Sequence, residues 1–222
     1  MKYQFSKFFV LVVTCFLAVS ASAHQPEYIN DKSWVGVTEP EISKAYYGRL
    51  PQKPVKYIIS TSSPFKLYLG LLVPDIPEVN KNVSVFVVYQ DGTVVAKLLG
   101  EKFIWERWYE EFAGDWYFKG PEIEKNMPAG TYTVIVFSPD NDWDKYVLAI
   151  GNRESFSLLD FPNMEKQLYK IKTVFFEKPW YSIFEGKLGH YVLIFIILFT
   201  FLFFGGPTLV SVFKNKIIKT GK

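Results

Sequence analysis

The stretch Pro128-Ala129-Gly130-Thr131-Tyr132-Thr133-Val134-Ile135-Val136-Phe137, a turn-rich gap over 139–142, then Lys145-Tyr146-Val147-Leu148-Ala149-Ile150 reads as two β-strands joined by a loop. Both runs are rich in Val, Ile, Tyr and Phe, which suit a pleated, half-buried surface. Working outward, runs of the same character fall at 46–50, 55–60, 65–73, 83–89 and 93–99. Turn residues punctuate them: Pro51 and Pro54, Ser62-Ser63-Pro64, Pro74 to Pro77, and Asp91-Gly92. Asp-Gly tolerates the positive φ angles of a tight two-residue turn, so 89–93 is the clearest hairpin. Many short strands at this spacing predict an all-β, antiparallel, jelly-roll-like β-sandwich.

The same residues carry a family likeness. The "AGTY" strand at Ala129–Tyr132 followed by the Tyr146-Val147-Leu148 strand resembles the closing hairpin of the pre-peptidase C-terminal domains of bacterial secreted proteins, and 65–69 is similar to their middle strand. That resemblance implies a small jelly-roll sandwich used as an ancillary module, with no catalytic residues. The segment 105–121 does not fit that pattern, and neither do the apolar ends of the chain.

Those ends predict topology. Lys2 and Lys7 precede an apolar stretch at 8–19 and a small-x-small site at Ala21-Ser22-Ala23, the pattern of a cleaved signal peptide over 1–23. Residues 188–213 form a run of 26 without Lys, Arg, Asp or Glu. At about 1.5 Å per helical residue, such a run crosses a bilayer core of about 30 Å. Lys214, Lys216, Lys219 and Lys222 follow it, which places the 214–222 tail in the cytoplasm. The expected layout is an N-terminal arm at 24–40, a sandwich domain at 41–155, a juxtamembrane amphipathic linker at 156–187, and the span. In that linker Met164, Leu168, Ile171 and Phe175 mark one helical face, with Lys166, Lys170 and Lys172 on the other side. The chain reads as a single-pass type I protein of the plasma membrane, its ectodomain periplasmic or extracellular.

Charge and inventory narrow the chemistry. All 22 acidic residues lie in 24–187, together with 19 of the 25 basic ones, a balance of −3. The excess of positive charge therefore belongs to the ends, and nucleic acid is not expected as a partner. Cys15 is the only cysteine and falls in the signal, so the exported part has no disulfide and no thiolate metal site. His24 and His190 are the only histidines. One falls on the N-terminal arm and the other at the edge of the span, so neither is expected inside a site as a Ser-His-Asp system requires, and a three-histidine metal centre is impossible. Asp140, Asp142 and Asp144 stand at alternate positions like the start of a calcium loop, but Lys145 and Gly151 replace the glycine and glutamate that such a loop needs at its sixth and twelfth positions. Calcium is the one cofactor this pattern admits.

Between 101 and 118 aromatic residues crowd among acids. Ile104, Trp108 and Phe112 fall at helical spacing, so 101–112 is expected as a short amphipathic helix or a crossover loop. Trp105, Trp108, Tyr109 and Trp116, with Asp115 to fix polar groups, are the candidate ligand-binding residues; the competing reading packs the rings as a cap on the core. The sequence thus supports a non-enzymatic module binding a protein or glycan, alone or within a membrane assembly. The alternative is an enzyme or accessory acting on envelope polysaccharide through an aromatic-acidic groove, with a carboxylate pair such as Glu110 and Asp115.

Overall fold

The computed structural model describes residues 24–30, 32–140, 144–155 and 161–200. The chain divides into two units, one ending at Ile183 and holding all the strands, the other containing the helix α2 (Gly186–Thr200). The first is a β-sandwich of two mixed sheets. One has the order β1-β3-β11-β5-β9-β8 and the other β2-β4-β10-β6-β7. The strands are β1 (Gln25–Tyr28), β2 (Trp34–Val37), β3 (Lys44–Arg49), β4 (Val55–Thr61), β5 (Phe65–Pro74), β6 (Ser84–Tyr89), β7 (Val94–Leu98), β8 (Glu106–Glu110), β9 (Asp115–Met127), β10 (Gly130–Phe137) and β11 (Lys145–Ile150).

Strict alternation builds the core. Phe65, Leu67, Leu69, Leu71 and Val73 of β5 point between the sheets, as do Val55, Tyr57 and Ile59 of β4 and Tyr132, Val134 and Val136 of β10. Each fully buried Val, Leu or Ile of this set contributes about 1.5–3 kcal/mol of apolar burial. The hydroxyls of Tyr57 and Tyr146 would be costly in such a core, but they bond to each other at 3.0 Å and tie the two sheets together. The closing hairpin and the Asp-Gly turn stand where their residues placed them. Gly92 has φ +89°, and Tyr89 N–H donates to Thr93 O at 2.8 Å.

Several expectations change. The sheets are not purely antiparallel: β1 lies parallel to β3, and β2 parallel to β4. Both strands come from the 24–40 segment expected as an irregular arm. As sheet edges they need partners on one side only, so their polar character is tolerated. Within β2, Val35 and Val37 turn inward while Trp34 stays outside. At the start of β1, His24 Nδ1 lies 2.5 Å from Ser43 Oγ and its ring stacks on Tyr68. Burial holds its pKa below the ordinary 6.5, against the pull of Glu154.

The 101–112 segment is not helical. A 3-10 turn at Gly100–Lys102 leads into β8, which pairs with β9. Its helical spacing was coincidental: Ile104, on the supposed buried stripe, is 87% exposed. Trp105 is anchored instead by its Nε1–H, which donates to Gly100 O at 2.9 Å. β9 makes room for that ring with a bulge, in which Gly120 and Pro121 oppose Leu71. A Cβ on Gly120 would lie 2.5 Å from the Trp105 ring, which is why glycine stands there.

The 156–187 linker is not a free amphipathic helix either. Helix α1 (Phe161–Lys170) runs into a π-helical turn (Ile171–Phe175), and together with Phe176 they cover the outer face of the six-stranded sheet. Ile171, Phe175 and Phe176 pack on Ala45, Tyr47, Tyr117 and Val147, and Gln167 accepts from Tyr28 N–H. Met164 and Leu168 are buried as well. The apolar stripe is therefore covered by protein. The wide turn, closed by Phe176 N–H to Ile171 O at 2.9 Å, shifts the helical phase. It carries Lys172 from the expected wet side to complete burial.

The remaining expectations fall at the ends. The signal at 1–23, the half of the span beyond 200 and the tail at 214–222 lie outside the described residues. No helix among the described residues is long and apolar enough to cross a membrane; α2 has 15 residues.

Candidate functional site

The register of the strands gives the sandwich two ends. At the lower end Arg49 pairs with Lys145, Val55 with Val136, Ser84 with Phe137, and Tyr117 with Pro74. The tip of the β8–β9 hairpin belongs to this end. There Glu110 and Asp115 are cross-strand partners. Glu110 caps its own turn, accepting the N–H of Phe112 at 2.8 Å and of Ala113 at 2.7 Å. Gly114 closes the turn at φ +79°. Burial pushes the Glu110 carboxyl up from its ordinary range, and the two N–H donors oppose that shift.

Asp115, expected among exposed ligand-binding groups, is fully buried. Its Oδ2 lies 2.8 Å from Lys172 Nζ and its Oδ1 2.9 Å from Lys178 Nζ. Lys172 Nζ also donates to Ala113 O at 2.6 Å. A buried carboxylate between two ammonium groups is charge-compensated. Asp115 is thus committed to holding the hairpin against the segment at 172–178, while Glu110 caps the hairpin's own turn.

The four candidate rings do not line one groove. Trp105 is half-buried against the core. Trp108 shares the outer face with Tyr117, their centroids 6.1 Å apart. Tyr109 and Trp116 pair on the opposite face at 4.9 Å, and the Arg107 guanidinium sits 4.0 Å from the Trp116 ring centre while its Nε bonds Asp75 at 2.6 Å. Trp105 caps the core, whereas Trp108, Tyr109 and Trp116 remain exposed. Strand alternation separates 108 from 109 and 116, a distinction hidden when the segment is read with helical period.

The calcium candidates are described only in part. Asp140 accepts from Asn82 Nδ2, Asp144 is buried, and Asp142 lies outside the described residues. No three metal-ligating side chains cluster among the described residues.

At the upper end the structure shows a feature that sequence reading missed. A shallow depression of about 330 Å³ is lined by Glu39, Glu41, Thr61, Ser63, Phe65 and Arg153, among others. An isolated bridge from Ile42 to Arg153 brings its two sides together. Glu41 accepts the Lys66 N–H at 3.0 Å and lies 3.9 Å from Arg153. The only local signal was the hydroxyl-rich turn at 60–63; its partners lie far away in sequence.

Fold and site together define a β-sandwich with a polar depression at one end and exposed aromatic rings at the other. No family model matches the chain. No curated protein matches it. Among solved structures, it is similar to the pre-peptidase C-terminal domain of a collagenase from Bacillus anthracis, at 12% identity over 57% of this chain and 94% of that one, with a TM-score of 0.33. This is the class that the closing hairpin resembles. The chain is also similar to the catalytic domain of a GH87 α-1,3-glucanase solved in complex with nigerose, at 15% identity over 50% of this chain, with a TM-score of 0.25. It spans 22% of that glucanase chain.

Proposed function

We propose that this chain is a single-pass, membrane-anchored extracytoplasmic β-sandwich of jelly-roll type that acts as an interaction module. Residues 1–23 direct export, 188–213 span the plasma membrane, and 214–222 face the cytoplasm. The partner is a protein or glycan, met by the module alone or as a small subunit of a membrane assembly. The observation that carries this reading is the upper-end depression, where two carboxylates, a guanidinium and several hydroxyls converge. That set suits the hydroxyls of a glycan, which exchange hydrogen bonds with such groups. The commitment of Glu110 and Asp115 to structural bonds favours binding over hydrolysis.

The test uses the full chain in detergent micelles against immobilised envelope polysaccharides and peptidoglycan fragments. Binding to one glycan class is expected, with Arg153→Ala lowering affinity at least tenfold and leaving the melting temperature unchanged. Absence of binding to every glycan, or equal binding by the variant, would overturn the assignment of this site.

A further inference from the structure

Among the described residues, and Tyr169 on α1 apart, the exposed Trp and Tyr rings of the sandwich unit are distributed unevenly. Trp34, Trp108, Tyr109 and Trp116 all lie toward the lower end, Trp34 opposite Lys56 at the start of β4 and the others on the β8–β9 hairpin. Trp180 and Tyr181 join them, because Lys178, two residues earlier, is bonded to Asp115 in that hairpin. Trp34 is 68% exposed, Trp180 61% and Trp116 42%. Among the described residues of the upper-end depression there is no Trp or Tyr.

From this asymmetry we infer that the lower end is a footing on the lipid–water interface of the bilayer, with the β8–β9 hairpin seated at headgroup level beside Trp180 and Tyr181. The inference rests on the membrane anchor proposed above. Trp and Tyr favour that interface because one part of each ring system is apolar and the other can stay hydrated.

Three observations favour lipid over a protein or glycan. The rings occupy both faces of one hairpin and the opposite sheet edge, so they do not converge on a concave ligand. An interface that is laterally uniform requires only that they share a depth. Two of the three acids at the hairpin tip, which would resist the headgroup region as bare anions, are compensated: Glu110 by two N–H groups and Asp115 by two lysines, while Glu111 is exposed and can point to the aqueous side. Finally, the apolar run at 188–213 begins ten residues after Lys178. Even fully extended, ten residues reach at most about 36 Å, which bounds the distance from Lys178 to the start of that run.

The experiment reconstitutes the full chain in phosphatidylcholine vesicles with and without brominated acyl chains, and reads tryptophan emission. Brominated lipid should quench the wild type, and Trp108→Phe with Trp116→Phe should remove a clear share of that quenching. Trp105→Phe, the half-buried control, should leave the quenched share unchanged or raise it. The Phe replacements keep an apolar ring, and an unchanged melting temperature shows that each variant is folded. Vesicle flotation separates the outcomes. A chain that fails to float overturns both anchor and footing. A chain that floats while Trp108 and Trp116 remain open to aqueous acrylamide and unaffected by bromine overturns the footing alone. Shielding of both rings from acrylamide and from bromine, with a doubled particle mass, would assign the surface to a second copy and overturn it too.

Discussion

Asp115 is the residue on which the junction between the sandwich and its C-terminal strap is expected to depend most. Asp115→Ala would leave Lys172, itself fully buried, without its carboxylate. Removing one partner of a buried pair costs about 3–5 kcal/mol. Against a total stability of about 5–15 kcal/mol that is a large fraction. For a unit of this size the thermal midpoint should fall by about 6–20 °C. Lys178→Ala should matter much less, because its side chain is 32% exposed and such pairs contribute about 0.2–1 kcal/mol. The informative variant is the double replacement Asp115→Leu with Lys172→Met. It removes both buried charges and fills the space, a change that is often neutral or stabilising. The carbonyl of Ala113 loses its ammonium donor in this variant, so recovery of at least half of the lost stability is expected rather than all of it. The measurement is thermal and urea unfolding of the full chain in detergent, followed by near-ultraviolet circular dichroism. If Asp115→Ala shifts the midpoint by less than about 2 °C, or if the double variant is as unstable as the single, the charge-compensated clasp is not what holds the strap.

Two further outcomes follow from the packing. Trp105→Ala should cost about 3 kcal/mol in urea unfolding, since it empties a site lined by Gly120 and the core, whereas Trp116→Ala should cost less than about 1 kcal/mol. Equal losses would contradict the division of the rings described above. The second concerns pH. The folded state holds the His24 pKa below 6.5, so its contribution to stability is present above that value and is lost as pH falls toward the folded pKa. The wild type should therefore lose more stability between pH 7.5 and 5.5 than His24→Gln does. Parallel pH dependences in the two proteins would show that the His24 ring is not the titrating group.

How much of this was legible beforehand can be followed residue by residue. The strands at 55–61, 65–74, 84–89, 130–137 and 145–150 were readable because their determinants are local. Apolar residues alternate or crowd, and Pro, Gly and Asp-Gly punctuate them. The histidine and cysteine inventory was equally direct, since counting requires no fold. The chain from 101 to 112 was misread because the apolar residues Ile104, Trp108 and Phe112 satisfy helical spacing as well as they satisfy an exposed hairpin. The partner strand decided the matter: β9 offers β8 a ladder of hydrogen bonds that sequence periodicity does not contain.

By itself, then, the sequence determined that this chain folds around β-strands with tight turns at Asp91-Gly92 and around 128–130, and that its chemistry has one cysteine and two histidines to draw on. Only the tertiary structure decided that 24–37 supplies parallel edges to both sheets, that a π-helical turn rotates Lys172 inward, and that Asp115 is spent on holding the strap. The reason is physical. Local conformation follows from each residue and its near neighbours, whereas the burial of Asp115 is tolerable only because chain folding delivers two ammonium groups from 57 and 63 residues away, a juxtaposition that no local pattern encodes.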